Sequence, residues 1–194
     1  VAGNLTTYRI DVVSRGNATY NMLFQPKVKI KKVTGFEFNC TVNTTVVIDP
    51  NGSWAFPFNM THLGNDEEPV SLSLSTTNPS WTAIMNITNA LLQPYGREGI
   101  KLAVTPPIQV LGDDYVLITV HALTTSGLTD DEFFTVKAAK IHNCTVEYIQ
   151  NDKEISPGGE VKFDLPLTNL GNADETAQMT ALVPQGWEAL FDEA

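Results

Sequence analysis

The chain has 194 residues, a formal net charge of −10, 42% hydrophobic residues and only 18% charged ones. That length holds one or two domains, and the acidic balance excludes the basic footprint that nucleic-acid binding requires. No apolar run approaches the roughly 18 residues that span a bilayer, and no charged, apolar and small-residue series marks a signal peptide at Val1. The targeting and anchoring parts of an exported protein are therefore expected outside this stretch, with no membrane contact within it.

In chain order, "YRIDVVS" at 8–14 is the first alternating run, and "KVKIKK" at 27–32 fits an outer strand whose lysines blunt edge pairing. From there the alternation predicts about seven strands, near 37–48, 53–62, 70–76, 81–88, 98–104, 114–124 and 132–140. Turn signals separate them: "DPNGS", "LGNDEEP", "TTNPS", "QPYGREG", "TPP" with "LGDD", and "TSGLTDDE". In "FEFNCTVN" the period of two places Phe36, Phe38, Cys40 and Val42 on one face, with Glu37, Asn39, Thr41 and Asn43 on the other. Phe56, Phe58 and Met60 likewise face inward. No segment carries a sustained helical period. The predicted class is all-β: tandem immunoglobulin-like β-sandwiches of about seven antiparallel strands each.

A long repeat supplies the word tandem. "FPFNMTHLGN" at 56–65 returns as "FDLPLTNLGN" at 163–172, an offset of 107 residues. "FNCTV" at 38–42 answers "HNCTV" at 142–146, Trp81 answers Trp187, and "YRIDVVS" resembles "YVLITVH" at 115–121. The expected division is 1–35, the last strands of a preceding repeat; 36–139, a complete sandwich; and 140–194, the first part of a following repeat. Such a stretch reads as a window on a longer array, whose partial domains neighbouring subunits could complete by strand exchange. Gly64 and Gly171 are expected at positive φ, with Asn65 and Asn172 tolerating the same region. Trp81 and Trp187 are expected in the cores. Cys40 and Cys144, read as equivalent and inward, are expected as buried free thiols, a bond to a neighbouring subunit being the alternative.

Asn-X-Ser/Thr triplets occur at Asn4, Asn17, Asn39, Asn43, Asn51, Asn59, Asn86 and Asn143, whereas this composition yields roughly two by chance. All eight are candidate N-glycosylation sites, and the alternation turns those on strands toward solvent.

Catalytic chemistry is not signalled. His62, His121 and His142 stand apart from metal-ligand spacings, no GxSxG elbow or phosphate loop is present, and the chain is not expected to be an enzyme or to hold a cofactor. Acidic loops at 65–68, 112–114, 130–132 and 172–175 raise one minor option, a structural calcium near Asp113, Asp114, Asp130 or Asp131.

The run "PGGEVKFDLPLTNLGNADETAQMTALVPQGWEALF" at 157–191, with "LLQPYGREGIKLAVTPP" at 91–107, resembles extracellular immunoglobulin-like modules of the CARDB and α-galactosidase-associated types. The resemblance implies a surface or secreted protein in which such modules act as spacers, stalks or adhesive units, often in archaea and bacteria. The expected function is a non-catalytic glycosylated component of an extracellular or cell-surface assembly: a stalk, surface layer or filament. Its expected partners are copies of itself or other assembly subunits, with covalent N-glycans. The rival is a carbohydrate-binding or spacer module of a secreted hydrolase, for which Tyr8, Tyr20, Tyr95 and Tyr148 are the candidate stacking rings.

Overall fold

A computed structural model of the chain describes residues 2–16, 19, 21–147 and 152–191. The candidate acceptor Asn17 and the tyrosines Tyr20 and Tyr148 lie outside them. The chain divides after Ala139 into two compact units.

The first unit opens with a nested hairpin. Strand β1 (Leu5–Thr7) pairs antiparallel with β4 (Lys27–Lys29), and inside it β2 (Ile10–Val13) pairs with β3 (Asn21–Phe24). The sandwich follows: β5 (Phe36–Asn39), β6 (Thr45–Ile48), β7 (Trp54–His62), β8 (Glu68–Thr76), β9 (Thr82–Met85), β10 (Asn89–Leu92), β11 (Arg97–Thr105), β12 (Tyr115–Thr124) and β13 (Thr129–Ala138). One sheet has four strands in the order β5-β7-β11-β9; the other has five, β10-β8-β12-β13-β6. The molecule is all-β, as the alternation requires, and the described residues include no helix able to cross a membrane.

One of the predicted strands is divided between the sheets, and another is cut short by a crossing. Residues 37–48 were expected as one strand, yet 36–39 pair with β7 while 45–48 run parallel to β13 in the opposite sheet. The chain crosses at 40–44, which leaves Val42 exposed rather than inward. The strand expected at 81–88 ends early: β9 pairs with β11, the chain crosses at 86–88, and β10, beyond the expected strand, pairs with β8 in the opposite sheet. Hence the sandwich has nine strands, with one parallel pair among antiparallel ones. Strands that change sheets close both flanks and leave little free edge for unwanted pairing.

The inward period-two positions form the core. Phe56, Met60, Leu102, Val104, Val116, Ile118, Val120 and Val136 have essentially no exposure. Phe134 reaches across from the five-stranded sheet to lie against Phe56 and Phe58, with ring centroids 4.8 and 5.3 Å apart. Phe38 extends the aromatic chain to Phe58 at 5.7 Å, within the range where tilted rings attract. Trp81 is buried as expected, and its indole N–H has no protein acceptor.

The second unit contains one ribbon, β14 (Cys144–Val146) paired antiparallel with β15 (Leu167–Asn169). Among its described residues no second sheet faces this ribbon. Trp187, expected in a core, is therefore exposed, as are Phe163 and Leu165, which answer Phe56 and Phe58 in the repeat.

Candidate functional site: the Gly-Asn turns and the segments they hold

The repeated Leu-Gly-Asn turn is where the two units agree in detail. In the first, the Asn65 side chain and backbone bind residues 31–33 as a strand neighbour would. Its Oδ1 accepts from the Val33 amide at 2.9 Å, its Nδ2 donates to the Lys31 carbonyl at 3.0 Å, and its amide donates to the Val33 carbonyl at 3.2 Å. The Leu63 amide donates to the Gly35 carbonyl at 2.8 Å, and the Asn65 carbonyl accepts from Ala2 at 3.0 Å. The second unit repeats the pattern. Asn172 Oδ1 accepts from the Ile141 amide at 2.7 Å, the Asn172 amide donates to the Ile141 carbonyl at 3.1 Å, and the Leu170 amide donates to the Asn143 carbonyl at 2.8 Å.

These bonds explain the glycines, and the explanation differs from the expected one. Neither Gly64 nor Gly171 has positive φ, and neither do Asn65 and Asn172. What matters is proximity. A Cβ on Gly64 would stand 2.5 Å from the Val33 carbonyl oxygen and 2.7 Å from His62 Nε2, and one on Gly171 would collide with the Ile141 carbonyl. Only glycine lets the turn press against the segment it grips.

The geometry also corrects an alignment. Turn residues correspond at an offset of 107, but the gripped residues, Val33 with Ile141 and Gly35 with Asn143, correspond at 108. The strand registers agree, since Phe36 opposes His62 and Cys144 opposes Asn169. Cys144 is thus the counterpart of Phe36, not of Cys40, and the shared "NCTV" is not structurally equivalent. Cys40 is half-buried against the core and Cys144 is exposed; both are free thiols. Burial pushes the Cys40 thiol above its ordinary value, with Glu132 adding to the rise and a contact to the Val42 carbonyl opposing it.

Beside the first turn lies Glu68, whose side chain is almost wholly buried. In the sequence it closes the acidic loop at 65–68; in the fold it is an anchor. Its Oε1 accepts from the Ser126 amide at 2.9 Å and the Thr125 hydroxyl at 3.2 Å, while Oε2 lies 3.6 Å from the Lys32 ammonium. Lys32 also approaches Asp66 at 3.5 Å, which ties the gripped segment to the sandwich a second time. Burial pushes the Glu68 carboxyl up, but the Ser126 and Thr125 donors and the Lys32 charge together outweigh it and hold it below the ordinary carboxylate value. A pocket of about 440 Å3 lies alongside, lined by Ala2, Gly3, Lys29, Ile30, Lys31, Lys32 and Asp66.

The candidate glycan acceptors lie as follows. Asn4, Asn39, Asn43, Asn51, Asn86 and Asn143 are exposed, and Asn59 is half-buried. Asn39 and Asn59 are cross-strand neighbours on the outer face of the four-stranded sheet. Gly99 opposes Asn59 and leaves the space above it open. At Asn43 and Asn86 the carbonyl oxygen accepts from Thr45 and Lys101 amides, so the nitrogen that would carry a sugar points away from the bond that fixes the turn.

The acidic loops hold their own partners. Asp113 meets Lys137, Asp114 accepts from the Leu111 amide, Asp130 accepts from the Phe38 amide and Asp131 meets His121. Among the described residues no three His, Cys, Asp or Glu side chains gather as a metal site.

His62 is buried, its Nδ1 donating to the Gln93 carbonyl at 3.0 Å, and His142 pairs with Glu175 at 2.8 Å. The third histidine completes a relay invisible in sequence. His121 Nε2 stands 3.1 Å from Ser75 Oγ and its Nδ1 2.7 Å from Asp131. That is the connectivity of a Ser-His-Asp triad, but Ser75 sits within a regular ladder opposite Thr119, on an open sheet face. A working nucleophile needs donors aimed at a developing oxyanion in a water-excluded site, usually at a sharp turn. The relay links β8, β12 and β13 by hydrogen bonds. Tyr8 and Tyr95 are exposed, in the hairpin and in the turn before β11, and the ring pairs among the described residues are all between phenylalanines.

No protein-family model matches the chain, and no curated protein matches it significantly. Among solved structures, it is similar to a PapD-like domain of human CEP192, with 12% identity, 55% of this chain and 84% of that one covered, and a TM-score of 0.39. It is also similar to WR4, a C. elegans MSP family member, with 10% identity, coverage of 50% and 93%, and a TM-score of 0.35. The periplasmic chaperone SfaE matches with 11% identity, coverage of 54% and 56%, and a TM-score of 0.36. These neighbours are sandwich domains, and the likeness is one of outline.

Proposed function

We propose that the chain is a non-catalytic, N-glycosylated scaffold of an extracellular or cell-surface assembly, built from immunoglobulin-like modules of the CARDB type. The observation that carries this reading is the twice-built Gly-Asn grip. In each unit an asparagine side chain fixes the segment leading into the module, so that entry is set by hydrogen bonds instead of by a loose tether. A scaffold of defined dimension needs that, and a freely tethered binding module does not. Eight sequons, with those on the four-stranded sheet facing outward, support sugars as the covering of that sheet. The Ser75-His121-Asp131 relay contributes stiffness, not turnover.

The test is glycopeptide mass mapping of the protein from its native source, combined with immunogold labelling of intact cells. Sugar mass on the Asn39 and Asn59 peptides and continuous gold along a surface structure are the expected results. Unmodified asparagines together with label confined to the cell interior would overturn the reading.

A further inference from the structure

The sequons are distributed unevenly over the sandwich, and the uneven side has a chemistry of its own. Asn39 and Asn59 lie on the outer face of the four-stranded sheet, while Asn43, Asn51 and Asn86 lie in turns and crossings. The five strands of the other sheet contain no sequon at all. Their outward positions instead expose Val47 of β6, Leu91 of β10, Tyr115, Leu117 and Leu123 of β12, and Phe133 of β13, each between 44% and 61% exposed except Phe133 at 65%. Few ionic groups stand between these side chains: Lys137 is matched with Asp113 at 2.9 Å, and the Asp131 carboxylate is hydrogen-bonded by His121 at 2.7 Å.

We infer that the outer face of the five-stranded sheet is a docking surface for the same face of a second copy of this chain. Charge decides for a second copy. A chain of net charge −10 repels its own kind over most of its surface, and it approaches itself most readily where ionic groups are few. This face carries only the charges of Lys137 and Asp131 among its outward strand positions, and an apolar patch poor in charge is complementary to itself about a two-fold axis. Size agrees. Five strands about 4.8 Å apart, running about 30 Å along β12, give a footprint of roughly 600 Å2, at the lower edge of what each partner contributes to a stable interface. The inference rests on the scaffold reading in one respect, that sugars keep the opposite sheet clear.

Sedimentation equilibrium of the chain, prepared both with and without N-glycans, tests it. Twice the monomer mass at tens of micromolar is expected in both preparations. The double variant Leu117→Glu/Phe133→Glu should weaken association by about 100-fold or more, because it places like charges opposite one another, with its circular dichroism unchanged. Ile84→Glu, exposed on the four-stranded sheet, should leave association intact. A monomer in both preparations, including one that binds only some other protein or a polysaccharide, would overturn the proposal, as would a dimer insensitive to the double variant. A dimer from a source whose asparagines prove bare would sustain the docking face while removing the glycan reading.

Discussion

Phe56→Ala lowers the thermal midpoint of the sandwich by on the order of 20 °C. Phe56 is wholly buried between the sheets and packs on Phe134 at 4.8 Å. Truncating such a ring removes its transfer free energy and leaves a cavity that a rigid β-core cannot fill, a cost of about 3–5 kcal/mol. In a domain of about 100 residues each kcal/mol moves the midpoint by roughly 4–8 °C. The comparison that gives the number meaning is Phe133→Ala. Phe133, beside Phe134 on β13, points outward and is 65% exposed, so its loss should cost about 0.5 kcal/mol or less in the monomer. Differential scanning calorimetry at low protein concentration reads both. Equal shifts for the two variants would contradict the outward placement of Phe133 on β13.

Glu68→Ala should cost about 3 kcal/mol, close to the first effect although no ring is lost. The buried carboxylate satisfies the Ser126 amide and the Thr125 hydroxyl, and its removal strands both donors. Lys32 adds less, because its ammonium is half in water. The sign of the pH dependence follows from the lowered carboxyl. In the unfolded chain Glu68 takes up a proton near the ordinary value of about 4.3; in the folded protein it does so only at lower pH. The stabilisation is therefore complete above the unfolded value and is lost as pH falls through the folded one. Urea midpoints for the native protein and Glu68→Gln, compared from pH 7 down to pH 2, should differ most at neutrality and converge below about pH 4. A gap that widens on acidification would show that the carboxyl is raised, not lowered.

How far the sequence could be read depended on whether the signal was periodic. β7, β12 and β13 alternate cleanly because each has one face in the core and one in water, and the inward set Phe56, Phe58, Met60 was legible for that reason. The crossing at 40–44 was not, because Cys40 and Val42 continue the alternation through a segment where the backbone leaves one sheet for the other. Glu68 was misread since nothing local distinguishes it from Glu67; its partners come from Ser126 and Lys32. The Ser75-His121-Asp131 relay is assembled from three strands and has no spacing to find. At the Gly-Asn turns the repeat located the site correctly, but the expected reason, positive φ, was the wrong one. A glycine kept for close approach leaves the same trace in sequence as one kept for backbone conformation.

The grip itself is most directly tested by amide hydrogen exchange at Val33 and Ile141, whose N–H groups donate to Asn65 and Asn172 side chains. Both amides should exchange at least about 100-fold more slowly than in an unstructured peptide, and Asn65→Ala should release Val33 while leaving Ile141 protected. Rapid exchange at both positions in the unaltered protein would contradict the account, because the segments entering the modules would then be untethered.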